Sequence, residues 1–264
     1  MTTTPVGMRC PECAKQRTQV KRLRDMGTVP QVTYALIAIN VLVFLAEGSG
    51  AFTFGGSAHG KLLFKGELLG SYAFEPGQGV AHGQWWRLVT SGFLHENLLH
   101  IGFNMWVLYT LGMMLEPTLG RVRFGAIYAV ALLTGSLGAL LVTPHGATVG
   151  ASGAVFGLMG AAAIEMRARQ IPIMQSGVGG LIVINLIISF SIPGISWGGH
   201  IGGLVGGALA AQAFRFGDRY RQQALAYAGC VLIAAAAVGG ALASAKAQEE
   251  PSVTLPPGFK LKEE

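Results

Sequence analysis

Residues 148–169 read TVGASGAVFGLMGAAAIEMRAR. One serine, Ser152, stands among Gly150, Gly153 and a run of alanine and aliphatic side chains. The run is apolar enough for a bilayer and close to the lower limit of about 17 residues for a spanning helix. A serine in that setting is either a packing residue or a nucleophile. The two readings demand different partners elsewhere in the chain.

Working outward, charged residues make up only 12% of the 264, against roughly 25% in soluble domains. Hydrophobic residues reach 51%, which places the chain in the polytopic, all-α membrane class. Apolar runs predict seven spans, at 32–46, 88–115, 122–142, 150–166, 178–194, 199–214 and 224–245. No internal repeat of the inverted-repeat transporter kind is visible. Residues 1–30 form a basic tail ending at Pro30, residues 31–245 a transmembrane domain, and residues 246–264 a polar, proline-bearing tail. The outer loop over 47–87 is too long for a simple connector and too apolar for a linker, which predicts short interfacial helices. At its end, Trp85, Trp86 and Arg87 read as an interfacial anchor.

The net charge of +6 raises the possibility of a nucleic-acid partner, and the placement of the charges answers it. Thirteen of the 19 Lys and Arg precede the first span or follow the second, fourth and sixth. With alternating spans they share one side. That is the positive-inside pattern, with the N-terminus cytoplasmic and the C-terminus outside a cell membrane. The charge orients the chain and implies no nucleic acid. About 30 basic and polar residues before the first apolar run argue against a cleavable signal peptide. Cys10, Cys13 and Cys230 offer no disulfide framework.

An ionisable group inside the membrane is a functional hypothesis by default. His200 opens the sixth span as Ser152 opens the fourth, and both spans run inward. Ser152 to Arg167 is 15 residues, and so is His200 to Arg215. At about 1.5 Å per residue each lies about 22 Å from its inner anchor, so the two sit at equal depth. Contact also needs close helices. Gly199, Gly203 and Gly207 recur at i+4, with Gly198, Gly202 and Gly206 one residue earlier, and Gly153, Gly157 and Gly160 lie on the fourth span. Such small residues let membrane helices approach backbone to backbone. Glu116 and Glu165 lie at inner ends, so no carboxylate completes a triad. The residues argue for a Ser–His dyad, with His200 oriented by packing. Phe156, one turn after Ser152, is placed to stack on the imidazole.

The second span adds His100 and Asn104 at i and i+4, near the same depth, with His95 a turn earlier at the outer lip. Asn is a poor metal ligand and a good hydrogen-bond donor, so these residues suit a developing oxyanion. A three-histidine metal site is the alternative. No cofactor and no metal are expected.

Taken together, GASG (150–153), GGHIGGLVGG (198–207), HENLLHIGFN (95–104) and WWR (85–87) resemble the rhomboid intramembrane serine proteases over about residues 31–214. The resemblance implies a six-helix core, to which some members add a seventh span. It implies Ser152 as nucleophile, His200 as its base, and His100 and Asn104 as oxyanion donors. Phe156 stands where many members carry Tyr. Some bacterial members carry a cytoplasmic zinc element, and CPEC (10–13) looks like half of one. No other Cys or His precedes His59, so the tail alone cannot close a four-ligand site.

The expected function is an endopeptidase that cleaves single-span or polytopic membrane proteins near the outer boundary of the bilayer. The short fourth span would leave a polar cavity that admits water to Ser152. Two other readings stand beside it: a catalytically silent rhomboid-like binding module, and a His-based metal or haem membrane protein.

Overall fold

The computed structural model describes residues 2–4, 7–9, 29–48, 52, 60–71 and 77–249; Cys10, Cys13 and the tail beyond 249 lie outside them. A short antiparallel ribbon pairs β1 (Thr2–Thr4) with β2 (Gly7–Arg9). The body is helical. Its elements are α1 (Gln31–Glu47), α2 (Lys61–Gly66), α3 (Arg87–Thr90), α4 (Leu98–Leu119), α5 (Arg121–Val142), α6 (Ser152–Ala168), α7 (Val178–Ser191), α8 (Trp197–Tyr220) and α9 (Gln223–Ala247). Among the described residues, α4, α5 and α9 are long and apolar enough to cross a membrane, and α1 and α7 are shorter apolar helices. The protein is an all-α, multi-pass membrane bundle.

Local chemistry sets the boundaries. Pro30 needs no N–H partner and precedes α1, whose first free amides are met by a distant carboxylate. Glu116, near the end of α4, accepts from Val32 N at 2.9 Å, Thr33 N at 2.8 Å and Thr33 Oγ1 at 2.7 Å. The start of α1 is therefore tied to the end of α4. A single residue, Gly120, links α4 to α5 at φ +84°, a conformation that disfavours any side chain.

The second span departs from the sequence reading. An unbroken helix over 88–115 is replaced by α3, a 3₁₀ turn at Ser91–Phe93 and a break before α4, which then runs on to Leu119. Asn97 is extended and its side chain accepts from His100 N at 2.9 Å, a helix cap that apolar periodicity does not reveal. Arg87 departs too. Trp85 and Trp86 are exposed as an interfacial anchor requires, yet Arg87 is only 1% exposed. Its guanidinium donates to the carbonyls of Phe64 and Glu67 and to Gln84 Oε1, which ties α3 to the end of α2.

The core centres on α8, and its two glycine rows serve different neighbours. A Cβ at Gly198, Gly202 or Gly206 would strike α5, at Gly138 or Thr134. A Cβ at Gly203 or Gly207 would strike the backbone of α6, at Gly153 or Gly157. At the far end Arg215 pairs with Glu165 at 3.7 Å, so α6 and α8 run parallel and stay together along their length. Helix α9 covers α5 through Ala241 and Ala245, against Leu68, Val80 and Leu140. His82, in a 3₁₀ turn of the outer loop, pairs with Glu249 at 3.4 Å, placing the end of α9 on the same side as that loop.

Candidate active site

The glycine row that faces α6 brings the ends of α6 and α8 together where the sequence puts its serine and histidine. Ser152 Oγ lies 2.7 Å from His200 Nε2. His200 is 7% exposed and Ser152 is partly exposed, so the hydroxyl stays accessible while its partner is enclosed. The Phe156 ring is stacked on the imidazole, with centroids 4.2 Å apart and planes at 13°. Gly150 has φ +121°, and a Cβ there would meet His100 Nε2 at 2.6 Å and Ser152 Oγ at 3.7 Å. Only glycine fits that point, which has the His100 ring on one side and the Ser152 hydroxyl on the other.

Asn104 is buried one turn below His100 and donates from Nδ2 to the His100 carbonyl at 3.0 Å. His95 is not on the helix that carries His100. It lies ahead of α4, fully buried, with its ring edge-on to that of His100 at 5.0 Å and its backbone N–H on Glu47 Oε1 at 3.3 Å. The break before Asn97 takes His95 off the helix and turns it inward. His200 does not join the other two histidines around a common point, because both its ring nitrogens face serine hydroxyls.

The second of those hydroxyls was not among the sequence candidates. Ser189 Oγ lies 2.6 Å from His200 Nδ1 and 2.6 Å from the carbonyl of Asn185. The only signal was a pair of polar residues, Asn185 and Ser189, four apart in the otherwise aliphatic LIVINLIISF.

Beside the pair is a cavity of about 30 Å³, with Ser91, Ser136, Thr148, Ser152 and His200 in its wall. That is room for a water, which needs roughly 10–15 Å³ and polar partners. A larger hollow of about 310 Å³ runs along the far end of α8 from Gln212 to Tyr220, remote from this chemistry.

A rhomboid domain model matches residues 82–217, which include Ser152, His200, Phe156, His95, His100, Asn104 and Ser189. Rhomboid protease GluP of Bacillus subtilis (strain 168) is 35% identical over 188 residues, covering 70% of this chain and 35% of GluP. YdcA of the same organism, also named for the rhomboid proteases, is 33% identical over 156 residues, 58% of this chain and 76% of YdcA. RHOMBOID-like protein 5 of Arabidopsis thaliana is 38% identical over 136 residues, 48% of this chain and 43% of its own. The chain thus spans about a third of one relative and three quarters of another. The domain match, which covers half of the chain, and these identities show that the chain belongs to the rhomboid family.

Proposed function

We propose that the protein is an intramembrane serine endopeptidase acting on membrane proteins near the outer boundary of the bilayer. The observation that carries this reading is the 2.7 Å contact between Ser152 Oγ and His200 Nε2. A serine hydroxyl is a weak nucleophile until a base within hydrogen-bond reach takes its proton. In the first step the Ser152 proton passes to Nε2 as Oγ bonds to the scissile carbonyl carbon, and the carbonyl π pair moves onto oxygen. The oxyanion pair then re-forms the carbonyl, the C–N bond breaks, and protonated His200 donates to the leaving amine. A water, for which the adjacent cavity has room, gives a proton to Nε2 as its oxygen bonds to the acyl carbon; the Oγ–acyl bond breaks, and Ser152 takes the proton back from Nε2.

The oxyanion forms where water is scarce, so donors aimed at it in advance supply much of the rate. Ser152 is the first residue of α6, and its N–H has no intrahelical acceptor. His100 and Asn104 are the further donors, and Phe156 holds the imidazole in plane. His95 supports the His100 ring from behind. The cytoplasmic N-terminus, the outer C-terminus and the cell-membrane location belong to the same proposal, on the distribution of Lys and Arg.

The test uses the purified protein in detergent with a single-span reporter. Ser152→Ala and His200→Ala should each lower turnover by roughly ten-thousandfold, and the double variant by no more than either alone. Cleavage by Ser152→Ala at the wild-type rate would refute the assignment.

A further inference from the structure

A dyad leaves one question open: what holds the imidazole with the correct nitrogen toward the nucleophile. Ser189, on α7, answers it. Its hydroxyl has a single proton and two close neighbours, the Asn185 carbonyl and His200 Nδ1, each at 2.6 Å. A carbonyl oxygen only accepts, so at that distance the Ser189 proton must lie on the Asn185 side. The Ser189 oxygen then accepts from Nδ1–H. A neutral imidazole protonated at Nδ1 carries its lone pair on Nε2, the nitrogen facing Ser152. The chain of donors runs in one direction, from Ser152 through His200 and Ser189 to the Asn185 carbonyl. Ser189 and Asn185 are 3% and 6% exposed, so bulk water does not compete for these bonds.

We infer that Ser189 is a positioning residue that fixes the tautomer and rotation of His200 and supports the imidazolium formed when His200 takes the Ser152 proton. The inference rests on the proposed roles of Ser152 and His200 and adds a third, neutral member to them. No proton leaves His200 for Ser189, since the serine oxygen accepts the Nδ1–H bond without taking the proton. Aspartate performs this orienting task in triads of other folds. Here the hydroxyl does it without placing an unpaired carboxylate in the bilayer.

The experiment compares Ser189→Ala, Ser189→Val and Ser189→Thr with wild type and Ser152→Ala on the single-span reporter, normalised to folded protein. Val and Thr have the same shape and differ only in the hydroxyl. Thr retains an Oγ that can bond the carbonyl four residues back. Ala and Val should lower kcat by roughly ten- to a hundredfold, the range for a hydrogen bond to a charged group, with KM within about twofold. Thr should stay within about threefold of wild type. If Ser189→Ala does not fold, the Val and Thr pair decides, read as the rate of fluorophosphonate labelling of Ser152 in membranes before extraction. With Ser152→Ala inactive, a Val variant at the wild-type kcat overturns the role of Ser189 alone. So does a Thr variant as slow as Val, or early melting with normal kcat. Full activity in Ser152→Ala would instead overturn the dyad beneath it.

Discussion

Helices α6 and α7 both meet α8, in opposite ways. Along α6 the contact is backbone on backbone, with Gly203 and Gly207 set against the carbonyls of Gly153 and Gly157. Along α7 the buried face is thin: Val178, Gly179, Asn185 and Ser189 are enclosed, whereas Val183, Ile184, Ile187 and Phe190 are all exposed. The first contact fixes where Ser152 and His200 are. The second fixes which way the imidazole points, through one hydroxyl. Placement comes from shape, which tolerates no added atom; the directional bond to the imidazole comes from a helix that packs on the core with few side chains, Val178, Leu181, Ile182 and Leu186 among them.

The sharpest way to break this contrast is one methyl group. In Gly203→Ala the new Cβ meets the Gly153 carbonyl inside contact distance, and backbone cannot step aside as a side chain can. Helix α8 must shift away from α6. Overpacking of this kind costs about 1–3 kcal/mol, and a misplacement of about 1 Å at the reacting groups costs about a hundredfold in rate. Cleavage should fall by at least about that factor, with a lower melting temperature. The matched control is Gly239→Ala in α9, where nothing lies within 4 Å of the added Cβ. It should be neutral or stabilising by about 0.5–1 kcal/mol, because glycine is a poor helix former. Equal behaviour of the two variants would deny that the α6–α8 seam is special.

Next in size is Asn104→Ala. If the amide serves the oxyanion, kcat should fall roughly ten- to a hundredfold with KM little changed. The competing role is visible in the structure, since Asn104 Nδ2 also bonds the His100 carbonyl within α4. A purely structural Asn104 would show early melting with normal turnover of the folded fraction. Glu116→Gln should behave in that second way. Its carboxylate caps α1 through three hydrogen bonds, far along α4 from His100. Losing the charge and one acceptor should cost about 1–3 kcal/mol of stability and leave kcat of the folded protein unchanged.

How much of this was legible in the sequence follows from which forces act locally. Ser152 and His200 stand out as polar residues in apolar spans, and the equal count to Arg167 and Arg215 matches their positions along the two helices because helical rise is uniform. The glycine rows announced close packing, though not that one row serves α5 and the other α6, since a sequence gives the face and not the neighbour. Arg87 read as an anchor from its tryptophans, and only the folded outer loop supplies the carbonyls of Phe64 and Glu67 that draw it inside. His95 lies off the helix that the sequence reading predicts for it, because the Asn97 cap interrupts a run whose composition is continuous. Ser189 stayed hidden for a different reason. A serine four residues after Asn185 has an ordinary explanation in bonding back to its own helix, and it does so. The imidazole that shares its oxygen lies on another helix, 11 residues later in the chain.

The smallest expected effect tests the exposed side of α7. Ile187 is 59% exposed and shares the outward face of α7 with Val183, Ile184 and Phe190. In water, truncating such a residue would change little because it is already solvated. In a bilayer the outcome is the same for another reason: lipid chains are as apolar as the side chain they touch, so no hydrophobic force is lost on removing it. Ile187→Ala should therefore shift stability by no more than about 0.5 kcal/mol, the usual range for substitutions away from packed or bonded sites. Its turnover should match wild type within about twofold, in contrast to Ser189→Val two residues on. The measurement is a pair of melting curves and kcat values in detergent and in reconstituted vesicles. A large loss for Ile187→Ala in both would mean that α7 is held by its outer face. The thin polar contact through Ser189 would then not be what joins this helix to the site.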